Sequence, residues 1–188
     1  MAQPLRAPIH LFDYLAVDDA STIRHEYVGG QVYAMTGGTM RHNRIAGNLF
    51  RLLAERLDAT RCQVFINDVK LHVQASDSVY YPDVFVYCGS ALANDAKVVQ
   101  DAALIVEVLS ESTAEIDRRE KLVAYRKLPG LRAYWIVSQD EQRIEVHERD
   151  ASGQQNAVAY TRGDAVPAGW LGGDAIPLTQ VYAGTDIA

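Results

Sequence analysis

The sequence predicts an α/β fold of the α+β type, in which a mixed sheet is flanked by helices, and three observations support it. Apolar residues recur at helical spacing in two segments, at about 40–58 and 114–127. Short runs rich in β-branched and aromatic residues lie between and after these segments. The connection from LIVEVL to AYWIV is long enough for a right-handed crossover between parallel strands. The length of 188 residues predicts a single domain over 1–188.

The elements follow in a definite order. EYVGGQVYAMT places two β-like runs around Gly29-Gly30 and predicts an N-terminal hairpin. A helix from about Met40 to Asp58 follows, and then come three strand-like runs, CQVFINDVKLHV, VYYPDVFVYC and ALIVEVL. The second helix runs from about Ala114 to Lys127, with Thr113 as its natural N-cap.

RAYWIVS adds a strand, and QRIEVHER with NAVAYT predicts a C-terminal hairpin. The core order is therefore α-β-β-β-α-β.

Composition limits the classes of function. No apolar run is long enough to span a bilayer, and the N-terminus lacks the features of a secretory signal, so we expect a cytoplasmic protein without membrane contact. Cys62 and Cys88 belong to no metal-binding cluster, and we expect both to be reduced. The net charge of −6 disfavours non-specific DNA binding by the whole surface. The acidic residues are concentrated after Ser138, whereas the segments 41–61 and 118–132 are rich in basic residues. These two segments could be solvated helix faces, or they could contact a polyanion.

Two acidic residues stand out on neighbouring strand-like runs. Glu107 lies in the middle of an otherwise apolar strand, where a carboxylate without a partner is costly. Asp83 follows Pro82 at the entry to the preceding strand, and in register the two carboxylates would converge at one end of the sheet. Such a pair repels unless a cation is present, and carboxylate oxygens with a backbone carbonyl suit Mg²⁺ or Mn²⁺.

The second helix adds a cation to this end of the sheet. Asp117, Lys121 and Tyr125 are four residues apart, so they share one face. A lysine there could orient a nucleophile and offset developing negative charge. Lys70, on the strand before Asp83, is the rival candidate for this role.

Each of these residues also has a structural interpretation. Asp83 could form an Asx-type turn, Glu107 could pair with an arginine, and Lys121 could form a surface pair with Asp117. His42 could cap a helix, and Glu26 could be a surface charge. The combination of residues favours a metal site over these alternatives.

Several motifs resemble one known family. EYVGGQVYAMTGGTMRHNRI, YYPDVFVYC, LIVEVLSEST, DRREKLVAYRKLPGLRAYWIV and IPLTQVY are similar to segments of the Uma-two family of restriction-endonuclease-like proteins, within the PD-(D/E)XK nuclease superfamily. The likeness covers about residues 10–182. It implies a restriction-endonuclease-like core with the order α-β-β-β-α-β.

The resemblance also implies roles for individual residues. Pro82-Asp83 corresponds to the PD element and Glu107 to the acidic residue of (D/E)XK. The lysine of that element would fall at Leu109, so the resemblance points to Lys121 on the following helix. Glu26 and His42 match motif positions beside the metal or the substrate.

The resulting hypothesis is a divalent-metal-dependent endonuclease that hydrolyses phosphodiester bonds, with DNA as the expected substrate. Asp83 and Glu107, together with the Val108 carbonyl, would hold Mg²⁺ or Mn²⁺, and Lys121 would orient the attacking water. Asp117 would assist from the second helix. A homodimer is the expected assembly for double-strand cleavage.

Three other functions compete with this hypothesis: a nuclease-fold binding or assembly module without catalysis, a carboxylate-pair hydrolase acting on sugars, and a structural scaffold. Binding of Mg²⁺ or Mn²⁺ would distinguish the nuclease from the binding module and from the sugar hydrolase. Loss of activity on replacing Asp83 or Glu107 by alanine would exclude the structural scaffold.

Overall fold

The computed structural model describes residues 8–110, 114–150 and 152–187. The elements in chain order are α1 (Leu11–Ala20), β1 (His25–Val28), β2 (Gln31–Ala34), α2 (Met40–Leu57), β3 (Gln63–Ile66), β4 (Lys70–Val73), β5 (Ser78–Tyr80), β6 (Val84–Tyr87), β7 (Val98–Val99), β8 (Leu104–Val108), α3 (Ala114–Ile116), a π-helical turn (Asp117–Lys121), α4 (Leu122–Tyr125), β9 (Ala133–Val137), β10 (Arg143–Arg149), β11 (Gln155–Thr161), β12 (Ala165–Val166), β13 (Ile176–Pro177) and α5 (Leu178–Val181).

A six-stranded mixed sheet forms the centre of the fold, in the order β11-β10-β9-β8-β6-β3. Strands β8 and β9 are parallel, and the helical segment from α3 to α4 makes the crossover between them. The other pairings are antiparallel. The predicted mixed sheet, its crossover and the C-terminal hairpin are therefore confirmed.

A second sheet of five strands, in the order β2-β1-β5-β4-β7, contains the predicted N-terminal hairpin. Two of the predicted strands are divided between the sheets. The run 62–73 turns at Asn67, whose φ is +59°, so that β3 lies in one sheet and β4 in the other. The run 79–88 breaks around Pro82, which has no amide hydrogen for a strand ladder.

Helix α2 covers one face of the six-stranded sheet. Thr39 is its N-cap, because its hydroxyl accepts a hydrogen bond from the backbone amide of His42 at 3.0 Å. The apolar stripe predicted for this helix is buried and consists of Ile45, Leu49, Leu52, Leu53 and Leu57. The segment α3–α4 packs on the opposite face through Ala124 and Tyr125, so the sheet is covered on both sides. The predicted cap Thr113 lies outside the described residues.

Helix α1 was not predicted from the sequence. It buries only Tyr14 and Asp18, so it lacks the apolar stripe by which a helix is normally recognised. Tyr14 stacks on Tyr27 of β1 with 5.1 Å between the ring centroids. The helix is thereby held against the second sheet.

Cys62 and Cys88 form a disulfide, and the prediction that both are reduced is wrong. The physical reason lies in the strand pairing. Gln63 of β3 faces Tyr87 of β6 in an antiparallel ladder, so the two cysteines are the next residues to face each other. Their Cα atoms are 4.1 Å apart, although they are separated by 26 positions in the sequence.

None of the helices in the described part of the chain is both long enough and apolar enough to span a membrane.

Candidate active site

Asp83 and Glu107 come together at one end of the six-stranded sheet, as the sequence predicts. Val84 faces Val106 across the antiparallel pair β6–β8, so the position before β6 lies opposite Glu107. The Val108 amide donates a hydrogen bond to Asp83 Oδ2 at 2.7 Å, and the Asp83 amide donates to Glu107 Oε2 at 3.4 Å. Each carboxylate is therefore fixed by the backbone of the neighbouring strand.

These contacts exclude the alternative structural interpretations of Asp83 and Glu107. The Asp83 side chain accepts from β8 instead of from its own turn, so it does not act as an Asx-turn residue. Glu107 is 3% exposed, and its cationic partner is Lys121, not an arginine.

Lys121 reaches this site from the π-helical turn, and it is not a surface lysine. Only 4% of the residue is exposed. Its Nζ lies 2.9 Å from Glu26 Oε1, 3.1 Å from Glu107 Oε1 and 3.3 Å from Asp117 Oδ1. Burial disfavours the ammonium, but the three carboxylates outweigh this effect and raise the pKa of Lys121 well above its usual value. The side chain is therefore a fixed positive charge and a hydrogen-bond donor, not a base.

Glu26 and Asp117 complete the acidic group around Lys121. The Glu26 carboxylate also accepts a hydrogen bond from the Tyr81 amide at 3.3 Å, which excludes the interpretation as a surface charge. Asp117 is 2% exposed, and its backbone carbonyl accepts a hydrogen bond from Tyr134. The structure thus joins both predicted supporting residues to Glu107 through Lys121.

Tyr125 contacts Glu107 directly, a role that the sequence analysis did not assign. Its hydroxyl donates to Glu107 Oε1 at 2.7 Å, the oxygen that Lys121 also contacts. Burial, reinforced by Glu107, raises the pKa of Tyr125 well above its usual value, so the phenol remains a neutral donor. The only signal in the sequence was its position four residues after Lys121.

His42, at the start of α2, lies on the other side of Asp83. Its Nε2 is 3.2 Å from Asp83 Oδ2, and it also hydrogen-bonds the backbone of Val108. Burial favours the neutral imidazole, but the contact with Asp83 and the bond to Val108 outweigh it, and the pKa of His42 is raised. The interpretation as a helix cap does not hold, because Thr39 supplies that cap.

The charge balance of the site fits a bound cation. Three carboxylates, those of Glu26, Glu107 and Asp117, lie within 3.3 Å of the buried Lys121 ammonium, and the Asp83 carboxylate lies beside them against His42. Burial raises the pKa of Glu107 well above its usual value even though Lys121 opposes the shift. A hard divalent ion would relieve this excess of negative charge.

Within the described residues, no group of three or more His, Cys, Asp or Glu side chains has the arrangement of a metal centre. Two carboxylates and a backbone carbonyl nevertheless suit Mg²⁺, which usually retains several waters and takes only one or two carboxylates from the protein.

Lys70, the rival for the catalytic lysine, belongs to a different polar cluster. Its Nζ lies 2.6 Å from Asp19 Oδ1 and 3.2 Å from Asp18 Oδ2, both at the end of α1. Tyr81 also donates a hydrogen bond to Asp18, so the cluster ties α1 to the chain just before Asp83. Sequence reasoning missed this cluster because α1 itself was not predicted.

Several basic residues of the two basic segments are paired with acids. Arg41 forms a bidentate contact with Asp186, and Arg51 pairs with Glu55 along α2. Arg118 contacts Glu145 of β10. These pairs reduce the positive charge that the segments offer to a polyanion.

Comparison with known proteins agrees with this fold. Residues 11–173 match the family "Uma2: Putative restriction endonuclease". Two relatives are "Uncharacterized protein sll1609" and "Uncharacterized protein slr1290" of Synechocystis sp. The first is 32% identical over 139 residues, which make up 73% of this chain and 78% of the relative. The second is 31% identical over 152 residues, which make up 81% and 80%.

A crystal structure from Anabaena variabilis, described as "a putative nuclease belonging to DUF820", superposes with a TM-score of 0.78. The match covers 94% of this chain and 98% of that one at 16% sequence identity, which is a likeness of fold.

Proposed function

The chain belongs to the Uma2 family, "Putative restriction endonuclease", and from this membership and the geometry of the site we propose that it is a divalent-metal-dependent endonuclease acting on DNA. The observation that carries the proposal is that Asp83 and Glu107 lie side by side, the Asp83 amide bonding Glu107 and the Val108 amide bonding Asp83, with Lys121 against Glu107. This arrangement combines two adjacent carboxylates with a buried cation, as metal-assisted phosphodiester hydrolysis requires.

Asp83 and Glu107, with the Val108 carbonyl, would hold Mg²⁺ or Mn²⁺. When bound, such an ion supplies a Lewis acid that lowers the pKa of water and stabilises negative charge on phosphate oxygens. The ammonium of Lys121 remains protonated, so it donates hydrogen bonds and offsets charge that develops beside Glu107. Because each of these side chains is held by several contacts, it needs little rearrangement to act.

A plasmid-nicking assay tests this function. Purified protein with supercoiled plasmid and Mn²⁺ or Mg²⁺ is expected to yield nicked or linear DNA, and EDTA is expected to stop the reaction. Asp83→Asn is expected to abolish cleavage, because it removes the charge that would hold the metal. Asp186→Asn is the matched control, since that aspartate is largely exposed and contacts Arg41. Equal cleavage by wild type and Asp83→Asn would refute the proposal.

The second candidate is a nuclease-fold binding or assembly module. One observation favours it: Lys121 is enclosed by three carboxylates, and none of the contacts observed in the described residues joins it to Asp83. Direct titration with Mn²⁺ separates the two candidates, because a module without catalysis has no need to retain metal. A homodimer and a cytoplasmic location remain predictions.

A further inference from the structure

We propose that Tyr125 is a positioning residue that fixes Glu107 for metal binding: by holding Oε1, its hydroxyl leaves Oε2 on the side of Asp83. This inference rests on the proposed function and extends it to a residue outside the predicted metal and lysine set. The two carboxylate oxygens of Glu107 have different partners. Lys121 and Tyr125 both contact Oε1, whereas Oε2 faces the Asp83 amide.

Two donors on one oxygen restrict the rotation of the carboxylate. If Lys121 were the only donor to Oε1, the Glu107 carboxylate could rotate with the lysine toward Glu26 and Asp117, which share the same ammonium. The phenol provides a second point of attachment, with its hydroxyl 2.7 Å from the same oxygen. Because it is neutral, it orients the carboxylate without cancelling the negative charge that would attract a cation.

The ring of Tyr125 is itself held rigidly. It makes edge contacts with Tyr80 and Tyr134, each with 5.3 Å between ring centroids. Tyr125 is fully buried, so its hydroxyl has little freedom to leave Glu107. Tyr80 and Tyr134 therefore determine where the hydroxyl lies, and the hydroxyl determines where the carboxylate lies.

The π-helical turn explains how the helix presents this residue. In a regular α-helix, the eight steps from Asp117 to Tyr125 rotate by about 80° beyond two full turns. A π turn contains more residues and rotates less per residue, so the turn over Asp117–Lys121 brings Tyr125 back toward the face of Asp117. Such turns occur frequently at functional sites. Lys121 and Tyr125 are four residues apart after this turn, and both reach the same oxygen of Glu107.

The test is Tyr125→Phe, which keeps the packed ring and removes only the hydroxyl. Mn²⁺ affinity, measured by electron paramagnetic resonance of the free ion, is expected to fall about 10–100-fold, as for other groups that hold metal ligands in place. Plasmid cleavage is expected to require correspondingly more Mn²⁺, with partial recovery of the rate at saturation. A change in packing alone would not produce this split between affinity and rate.

Tyr182→Phe is the matched control. Its hydroxyl is also in a buried residue, 3% exposed, but it donates to the backbone carbonyls of Ser138 and Arg143 instead of to a carboxylate. This variant is expected to bind Mn²⁺ like wild type. If wild type binds Mn²⁺ and cuts DNA while Tyr125→Phe has an affinity within about twofold of wild type, the inference alone is overturned. If wild type binds no Mn²⁺, the proposed function fails and this inference fails with it.

Discussion

Replacing Lys121 by methionine is expected to destabilise the metal-free protein by about 3–5 kcal/mol at pH 8, the cost of removing one partner from a buried ion pair. The substitution keeps most of the side-chain volume and removes only the ammonium. Three carboxylate oxygens lie between 2.9 and 3.3 Å from that ammonium in the native protein. Without it, their mutual repulsion in a buried site is no longer compensated.

The loss of stability is expected to depend on pH, and its sign follows from Glu107. Burial already raises the pKa of this carboxyl group, and Lys121 is the charge that opposes the shift. Without Lys121 the pKa rises further, so the folded variant binds more protons than the unfolded chain above pH of about 4.3. Stability then falls as pH increases, and the variant is closest to wild type near pH 5.

Urea denaturation with EDTA at pH 5 and pH 8 measures the loss of stability and its dependence on pH. A loss of 3–5 kcal/mol corresponds to about 6–20 °C in the melting temperature for a chain of this size. Lys97→Met is the control, because Lys97 lies 3.0 Å from Asp19 but its side chain is 63% exposed. Such a surface pair contributes at most about 1 kcal/mol. Equal losses in the two variants, or a loss in Lys121→Met that is the same at both pH values, would refute the argument.

Two further predictions concern stability. Reducing the disulfide, or replacing Cys62 and Cys88 by serine, is expected to cost about 3.5 kcal/mol from the entropy of a loop of this length, because the cysteines are 26 positions apart. Thermal melts with and without reductant would show a decrease of about 7–14 °C, and unchanged melts would contradict it. His42→Ala in EDTA is expected to lose more stability at pH 5.5 than at pH 9. Contact with Asp83 raises the pKa of His42, so the stabilisation is present below the unfolded pKa and disappears as pH rises through the folded value. Equal losses in urea at both pH values would contradict this assignment.

The parts of the fold that depend on the periodicity of apolar residues could be predicted from the sequence. The predicted helix over Met40–Asp58 is observed as Met40–Leu57, because its apolar stripe is buried against the sheet. Asp83 and Glu107 were predicted to converge because both lie on strand-like runs that are consecutive in the chain. Periodicity does not show which strands pair, so the division of 62–73 and 79–88 between two sheets could not be predicted. The disulfide was missed for the same reason, since it depends on the pairing of β3 with β6.

The cation beside Glu107 shows how sequence spacing and spatial position can differ. In the (D/E)XK pattern the lysine follows the acid on the same strand, but here that position is Leu109, which packs in the apolar core between the sheet and α4. The proposed chemistry uses an ammonium near one carboxylate oxygen, and a helix packed over the strand can place it there as well as the strand can. Lys121 does so from a π-helical turn, 3.1 Å from Glu107 Oε1. Lys121 is therefore proposed for this role from its contacts, and the displaced spacing is not by itself a reason to regard the site as degenerate.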